Sequence, residues 1–441
     1  MNRPRTPSRR KKKTRLPLCS LLVFMLLYPI APTVRGQTES LEPGKKVERE
    51  LKTGEAHVYE IALAANQFLR VMVEQKSVDI RLSLRTTEGT IIEEADGTTA
   101  ALSVESISAI AEREGKHSIE VRANGKTAGR YVIETEIRTA TERDRLLVSA
   151  DRAIHNAEKL RLPKSVEGFR QSASKLEEAI SFLKQARETT LTATTLRTLG
   201  AVYRLAGERE KALAAYGESL SLLRQSGDDE KAAMLLHDTG EVYRSMQQFE
   251  KTIEYYTEAL KIYRSRGDKP NESDMLYAIG INYDDLNEWN KALVNFDEAL
   301  ALQKELKDLN GQVFTLSAMS FIYMNNNDFD SALYYLNETY SIFEKTGSRH
   351  GQAMMLGYIG TSYLELGDYE RAVERLNRAL GIHRAIANIN AEGGTLDGLG
   401  RVYALKGDYD RALDYFTQAL ESFRGRGAEV PEAAALNNIG K

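Results

Sequence analysis

A small all-β unit followed by a long array of helix pairs is the fold class this sequence predicts, mainly α by content, and three observations predict it. Apolar residues alternate with period two between Lys46 and Ile137, the pattern changes to the helical period from Thr141, and a small residue returns every 40 positions through the rest of the chain. Strands turn successive side chains to opposite faces, whereas helices return every third or fourth to one face, so the two periods separate the two kinds of structure.

The chain has 441 residues, 42% hydrophobic and 28% charged, the balance of a soluble globular protein with room for two or three domains. Its start carries Arg3, Arg5, Arg9, Arg10, Lys11, Lys12, Lys13 and Arg15 with no acid, and an apolar run from Leu16 to Ala31 follows. That is the layout of a secretory signal. Broken by Pro17 and Pro29, the run is shorter than the roughly 20 residues a membrane-spanning helix needs. Residues 1–36 are therefore expected to be a signal peptide cut after Gly36. The protein would be exported, periplasmic or extracellular, or held at the membrane by an uncleaved signal segment and by nothing else.

Removing the nine basic residues of 1–36 takes the formal net charge from −3 to −12. Nucleic acid is then no expected partner, because neutralising phosphates needs clustered Lys and Arg. Cys19, the only cysteine, lies inside this leader. No disulfide framework is expected, and packing alone must hold the exported chain.

Alternation is clearest in Tyr59-Ile61-Leu63, Leu69-Val71-Val73, Val78-Ile80-Leu82-Leu84, Ile119-Val121 and Tyr131-Ile133. Turn signals at Thr53-Gly54, Glu88-Gly89, Asp96-Gly97, Gly115-Lys116 and Asn124-Gly125 divide the segment into about eight strands with no helix between them, which reads as a β-sandwich.

The helical part carries a repeat. Gly200, Gly240, Gly280, Gly360, Gly400 and Gly440 stand 40 apart, with Ser320 in the one gap. Three residues after each but Gly440, whose third position falls past Lys441, comes a tyrosine, Tyr203, Tyr243, Tyr283, Tyr323, Tyr363 and Tyr403, and four before each a leucine, from Leu196 to Leu436. Such small residues are packing marks, because two helices approach closely only where one lacks a bulky side chain. The tyrosine fills the gap between its helix and the next. Gly207, Gly367 and Gly407 sit where the first helix of a pair must end. Ser172, Leu176 and Ala179 fall 40 residues before Ala212, Tyr216 and Ser219, which places a capping helix ahead of the first full repeat.

The expected organisation is a signal peptide over 1–36, a β-sandwich over 46–138, and a helical linker with N-terminal capping helices over 141–192. A repeat array follows over 193–441, with six full repeats at 193–232, 233–272, 273–312, 313–352, 353–392 and 393–432 and the start of a seventh. The chain ends inside that seventh repeat before its tyrosine, which points to a longer parent protein.

From Ala193 onward, the Leu-Gly-x-x-Tyr and later Ala-x-x-x-aromatic-x-x-Ala positions resemble the tetratricopeptide repeat in a 40-residue variant. The resemblance implies a right-handed α-solenoid of helix pairs that binds a protein or peptide along a concave groove. The stretch Gly115-Lys116-His117-Ser118-Ile119-Glu120-Val121 with Gly129-Arg130-Tyr131-Val132-Ile133 resembles the bacterial pre-peptidase C-terminal domain, which implies a supporting or docking module. A β-module of this kind ahead of 40-residue repeats also resembles the N-terminal half of bacterial proteins that end in a caspase-like CHAT peptidase domain. On that alternative this chain is the sensor or substrate-binding arm of an enzyme whose catalytic domain lies outside it.

Nothing within the chain itself points to catalysis. The six histidines, His57, His117, His155, His237, His350 and His383, show no metal-ligand spacing, and neither a nucleophile elbow nor a phosphate-binding glycine loop occurs. No catalytic residue, metal or cofactor is expected, and the chain reads as a scaffold and not an enzyme.

The groove positions implied by the tetratricopeptide resemblance, the second, fifth, ninth and twelfth of the first helix, give Arg197, Arg204, His237, Glu241 and Arg244 in the first two repeats, a basic end. In the third to fifth repeats they give Tyr277, Ile281, Asp284, Phe314, Phe321, Met324, Met354 and Leu364, unusually apolar for a face open to solvent. A peptide with an acidic portion and apolar anchors would suit such a groove. The competing reading is that the aromatic residues pack between neighbouring repeats.

Overall fold

The computed structural model describes residues 38–76, 78–96, 104–124 and 128–424. The expected leader, the turn glycines Gly97 and Gly125, and Leu436 and Gly440 lie outside them. The chain divides into two compact units, Met1–Thr141 and Glu142–Lys441.

Among its described residues the first unit holds nine strands: β1 Thr38–Ser40, β2 Val47–Leu51, β3 Ala56–Leu63, β4 Gln67–Gln75, β5 Ile80–Thr86, β6 Ile91–Asp96, β7 Val104–Ile110, β8 Gly115–Ala123 and β9 Gly129–Thr139. One sheet runs β1-β3-β8-β5-β6 and the other β2-β9-β4-β7. Every pairing is antiparallel except that of β1 with β3. The alternation indicated about eight strands; β1, three residues long, is too short to show a period. Gly54 and Gly89 have φ of 75° and 86°, the left-handed turns their positions call for.

Both sheets contribute to one core, including Tyr59, Leu82 and Val121 from the first and Val71, Ile107 and Ile133 from the second. Tyr131 of β9 is fully buried in that core, yet it carries a hydroxyl that must be satisfied. The hydroxyl lies 2.7 Å from the Tyr59 hydroxyl and 2.7 Å from His57 Nδ1, both on β3 of the opposite sheet. A buried polar bond thus ties the two sheets at one register.

The second unit is helical throughout its described residues. It opens with α1 (Glu142–Arg161) and α2 (Val166–Gln185). Six pairs follow: α3 (Thr189–Leu205) with α4 (Arg209–Ser226), α5 (Asp229–Ser245) with α6 (Phe249–Arg266), α7 (Lys269–Asp285) with α8 (Trp289–Leu306), α9 (Leu309–Asn325) with α10 (Phe329–Thr346), α11 (Arg349–Glu365) with α12 (Tyr369–Ala385), and α13 (Ile389–Leu405) with α14 (Tyr409–Arg424). We term the first of each pair helix A and the second helix B. Each helix A has 17 residues and the first four B helices 18, with very short turns between, so the 40-residue period is taken up in helix. Helix A begins four residues ahead of the boundaries counted from the packing marks, because those marks sit in its second half.

Local chemistry sets the helix ends. Gly207, Gly367 and Gly407 end α3, α11 and α13 with φ of 76–79°, and Gln247, Asn287 and Asn327 adopt the same left-handed turn at 57–59° in the other A–B turns up to α10. Asp228, Asp268, Asp308, Asp328 and Asp368 each accept a backbone N–H of the first turn that follows.

Packing within a pair explains the 40-residue recurrence. A Cβ at Gly280 would stand 2.5 Å from the Phe296 ring, one at Gly400 2.5 Å from Phe416, and one at Gly360 2.7 Å from Leu376. Gly200 and Gly240 face Tyr216 and Tyr256 in the same way. Ser320 is fully buried and turns its hydroxyl back to the Ser317 carbonyl at 2.7 Å. Helix A therefore gives up a side chain at one position so that the large residue of helix B can lie across it. Among the tyrosines, Tyr203 is buried and donates to Glu177 of α2. Tyr243, Tyr323 and Tyr403 stack on Tyr255, Tyr335 and Tyr415 of helix B at 5.3–5.5 Å, while Tyr283 and Tyr363 lie under Lys291 and Arg371.

Candidate binding face

The backbones of α3 and α5, of α7 and α9, and of α11 and α13 approach closely, whereas successive B helices are joined through long side chains, such as Arg224 to Glu258 and Arg264 to Glu298. The A helices thus line the inner side of the array, the place where a curved stack of helix pairs can hold an extended ligand.

In the first two repeats the basic end is partly neutralised. Arg197 donates through Nε to Asp238 at 2.6 Å, across from α3 to α5. Burial alone would raise the Asp238 carboxyl, but the His237 and Arg197 side chains offset it and hold Asp238 below the usual carboxylate range. His237 stacks on Tyr256 at 5.4 Å. Arg204 and Arg244 make no ion pair among the described residues. They line a cleft of about 340 Å³ together with Glu241, Asp285 and Phe249. The Tyr256 hydroxyl donates to Glu241, so one of the cleft's two carboxylates is already engaged.

From the third repeat the face changes character. Phe314 on α9 is 62% exposed, Phe321 37% and Met354 on α11 38%. Phe321 meets Tyr358 of α11 edge to face at 5.1 Å, which joins the two helices into one apolar strip. Other candidates belong to the interior. Tyr277 packs 5.7 Å from Phe296 and, like Ile281, lies half-buried against the core. Met324 does the same beside Leu333 and Leu336. Asp284 is half-buried, and burial with the adjacent Asp285 pushes its carboxyl up.

Leu364 is a correction. It is 4% exposed and packs with Leu376, Leu396 and Leu399, so it lines no groove. The same position holds Arg204 and Arg244 in the first two repeats, where long stems carry the charge out to solvent; a leucine there folds inward onto the next helix A.

Among the described residues no group of three or more His, Cys, Asp or Glu is placed to hold a metal ion. No helix there is long and apolar enough to cross a membrane.

Known repeat families match the helical unit. Tetratricopeptide repeat models match residues 191–265, 230–305 and 312–385, and a second such model matches 395–426. No curated protein sequence matches the chain. Among solved structures, aspartyl phosphate phosphatase F from Bacillus subtilis is 12% identical, covering 64% of this chain and 71% of its own, with a TM-score of 0.42. A tetratricopeptide repeat protein from Parabacteroides merdae is 17% identical, covering 66% and 99%, at 0.39. A putative kinesin light chain from Podospora anserina is 16% identical, covering 47% and 98%, at 0.38.

Proposed function

Since this chain belongs to the tetratricopeptide repeat proteins, we propose that it is a non-catalytic scaffold that holds a protein or peptide along its A-helix face. The observation that carries the reading is the solvent exposure of Phe314 and Phe321 on α9 and of Met354 on α11, two helices that Phe321 and Tyr358 join edge to face. Covering Phe314, 62% exposed, would contribute about 1–2 kcal/mol, and covering Phe321 and Met354, each already about two-thirds covered, about 0.5–1 kcal/mol apiece, so together they favour a ligand that brings apolar anchors of its own. Arg204 and Arg244, without ion pairs, supply charge for an acidic residue of the same ligand toward the first repeats. The basic and apolar start of the sequence supports export, and the β-sandwich is then a docking or spacing module outside the cytoplasm.

A phage-displayed random peptide library selected on the full chain tests this. Enriched peptides should pair an acidic residue with Phe, Leu or Met anchors, and Phe314→Ala with Phe321→Ala should lower their affinity about tenfold or more while circular dichroism keeps its helical signal. Enrichment of unrelated sequences, or binding that survives both substitutions, would remove the reading.

A further inference from the structure

A cation lies over the helix A tyrosine in five of the six repeats. Lys211 Nζ stands 5.2 Å from the Tyr203 ring centre, Lys251 5.0 Å from Tyr243, Lys291 5.3 Å from Tyr283, Arg371 4.8 Å from Tyr363 and Arg411 5.4 Å from Tyr403. Each cation comes from the first turn of helix B, eight residues after its tyrosine. In the fourth repeat that position is Ser331, and no Lys or Arg lies over Tyr323 among the described residues.

The ring is otherwise set up as its counterparts are. Tyr323 stacks on Tyr335 of α10 at 5.4 Å and 9°. Tyr243 and Tyr403 stack on Tyr255 and Tyr415 in the same manner and still take Lys251 and Arg411, so the stacking partner leaves room for a cation. Two further features favour positive charge here. Tyr334, 61% exposed, meets Tyr335 edge to face at 5.0 Å and extends the aromatic surface into solvent. Asp297 of α8 lies near enough to act electrostatically on Tyr335. Burial, with Tyr323 and Asp297 beside it, pushes the Tyr335 hydroxyl up to about 12, so the group stays neutral and the aromatic faces supply the attraction.

We propose that Tyr323, with Tyr334 and Tyr335, is a cation-binding site that takes a lysine or arginine side chain of a partner protein in the place that Lys or Arg fills in the other repeats. None of the residues used belongs to the A-helix strip, so the site stands or falls apart from the groove.

The test uses the full chain with ring-¹³C-labelled tyrosine, titrated with a blocked glycine-lysine-glycine peptide and with its norleucine counterpart, which keeps the stem and lacks the charge. Expected are saturable shifts of the Tyr323 and Tyr334 rings with the lysine peptide alone. Ser331→Lys, which copies the other repeats, should abolish them by filling the site from within. Lys251→Ser should create a second set at Tyr243. Equal shifts from both peptides, no saturable shift, shifts undiminished in Ser331→Lys, or none gained at Tyr243 would each overturn the assignment.

Discussion

The β-sandwich and the helical array are held together over very different distances along the chain. Tyr131 meets Tyr59 and His57 across 72 and 74 residues of sequence, and one core takes side chains from both sheets. Gly280 meets Phe296 inside one repeat, and most contacts of a helix pair are with itself or the pair beside it. The first arrangement stands or falls as a whole, whereas the second is close to a sum of local units and neighbour interfaces. Damage should therefore be global in one unit and graded in the other.

Removing the large residue that covers a small one is the strongest way to break this contrast. Phe296→Ala should destabilise its helix pair by about 3–5 kcal/mol, seen as faster hydrogen exchange in α7, α8 and their neighbours, with the β-strands unchanged. Equal acceleration throughout the chain would show the array to be one cooperative block. A smaller effect is expected in the sandwich. Tyr131→Phe leaves the Tyr59 hydroxyl and His57 Nδ1 without that partner and should cost about 1–3 kcal/mol, spread evenly over strands of both sheets. Protection lost at β9 alone would contradict a shared core.

The smallest expected effect sharpens the comparison through pH. His383 is buried at 2% exposure on α12 where the third repeat has Gln303, and burial, then the nearby His350, lower its pKa from 6.5, with Glu392 opposing. Its folded-state pKa lies below the unfolded value, so the unfolded chain binds the extra proton first. The stability this neutral histidine contributes is complete above about pH 6.5 and declines as pH falls from there through the folded pKa. Urea unfolding of the array should weaken over that window, and His383→Gln should flatten the dependence. An unchanged slope in the variant would assign the effect to other groups.

Much of this was legible in the sequence. The period-two and helical segments, the repeat of 40 and the glycines that end α3, α11 and α13 all stand where local rules place them. The cation ladder was legible as well, since Lys or Arg follows each tyrosine by eight residues except at Ser331, but it gains meaning only once those side chains are seen over the rings. The pairing of Arg197 with Asp238 was not legible. It joins residues 41 apart on adjacent A helices, and nothing in the spacing of either residue distinguishes it from a solvent-facing charge.

By itself the sequence determined the repeat, because packing inside a helix pair acts over a fixed short spacing and leaves small and aromatic residues at fixed intervals. Only the tertiary structure decided which positions of the A-helix face remain open. Phe314 stays in solvent, Leu364 folds into the core between α11 and α13, and Arg197 is taken by Asp238. Each of these depends on what the next repeat presents, and a residue's own place in the period carries no record of its neighbour across the stack.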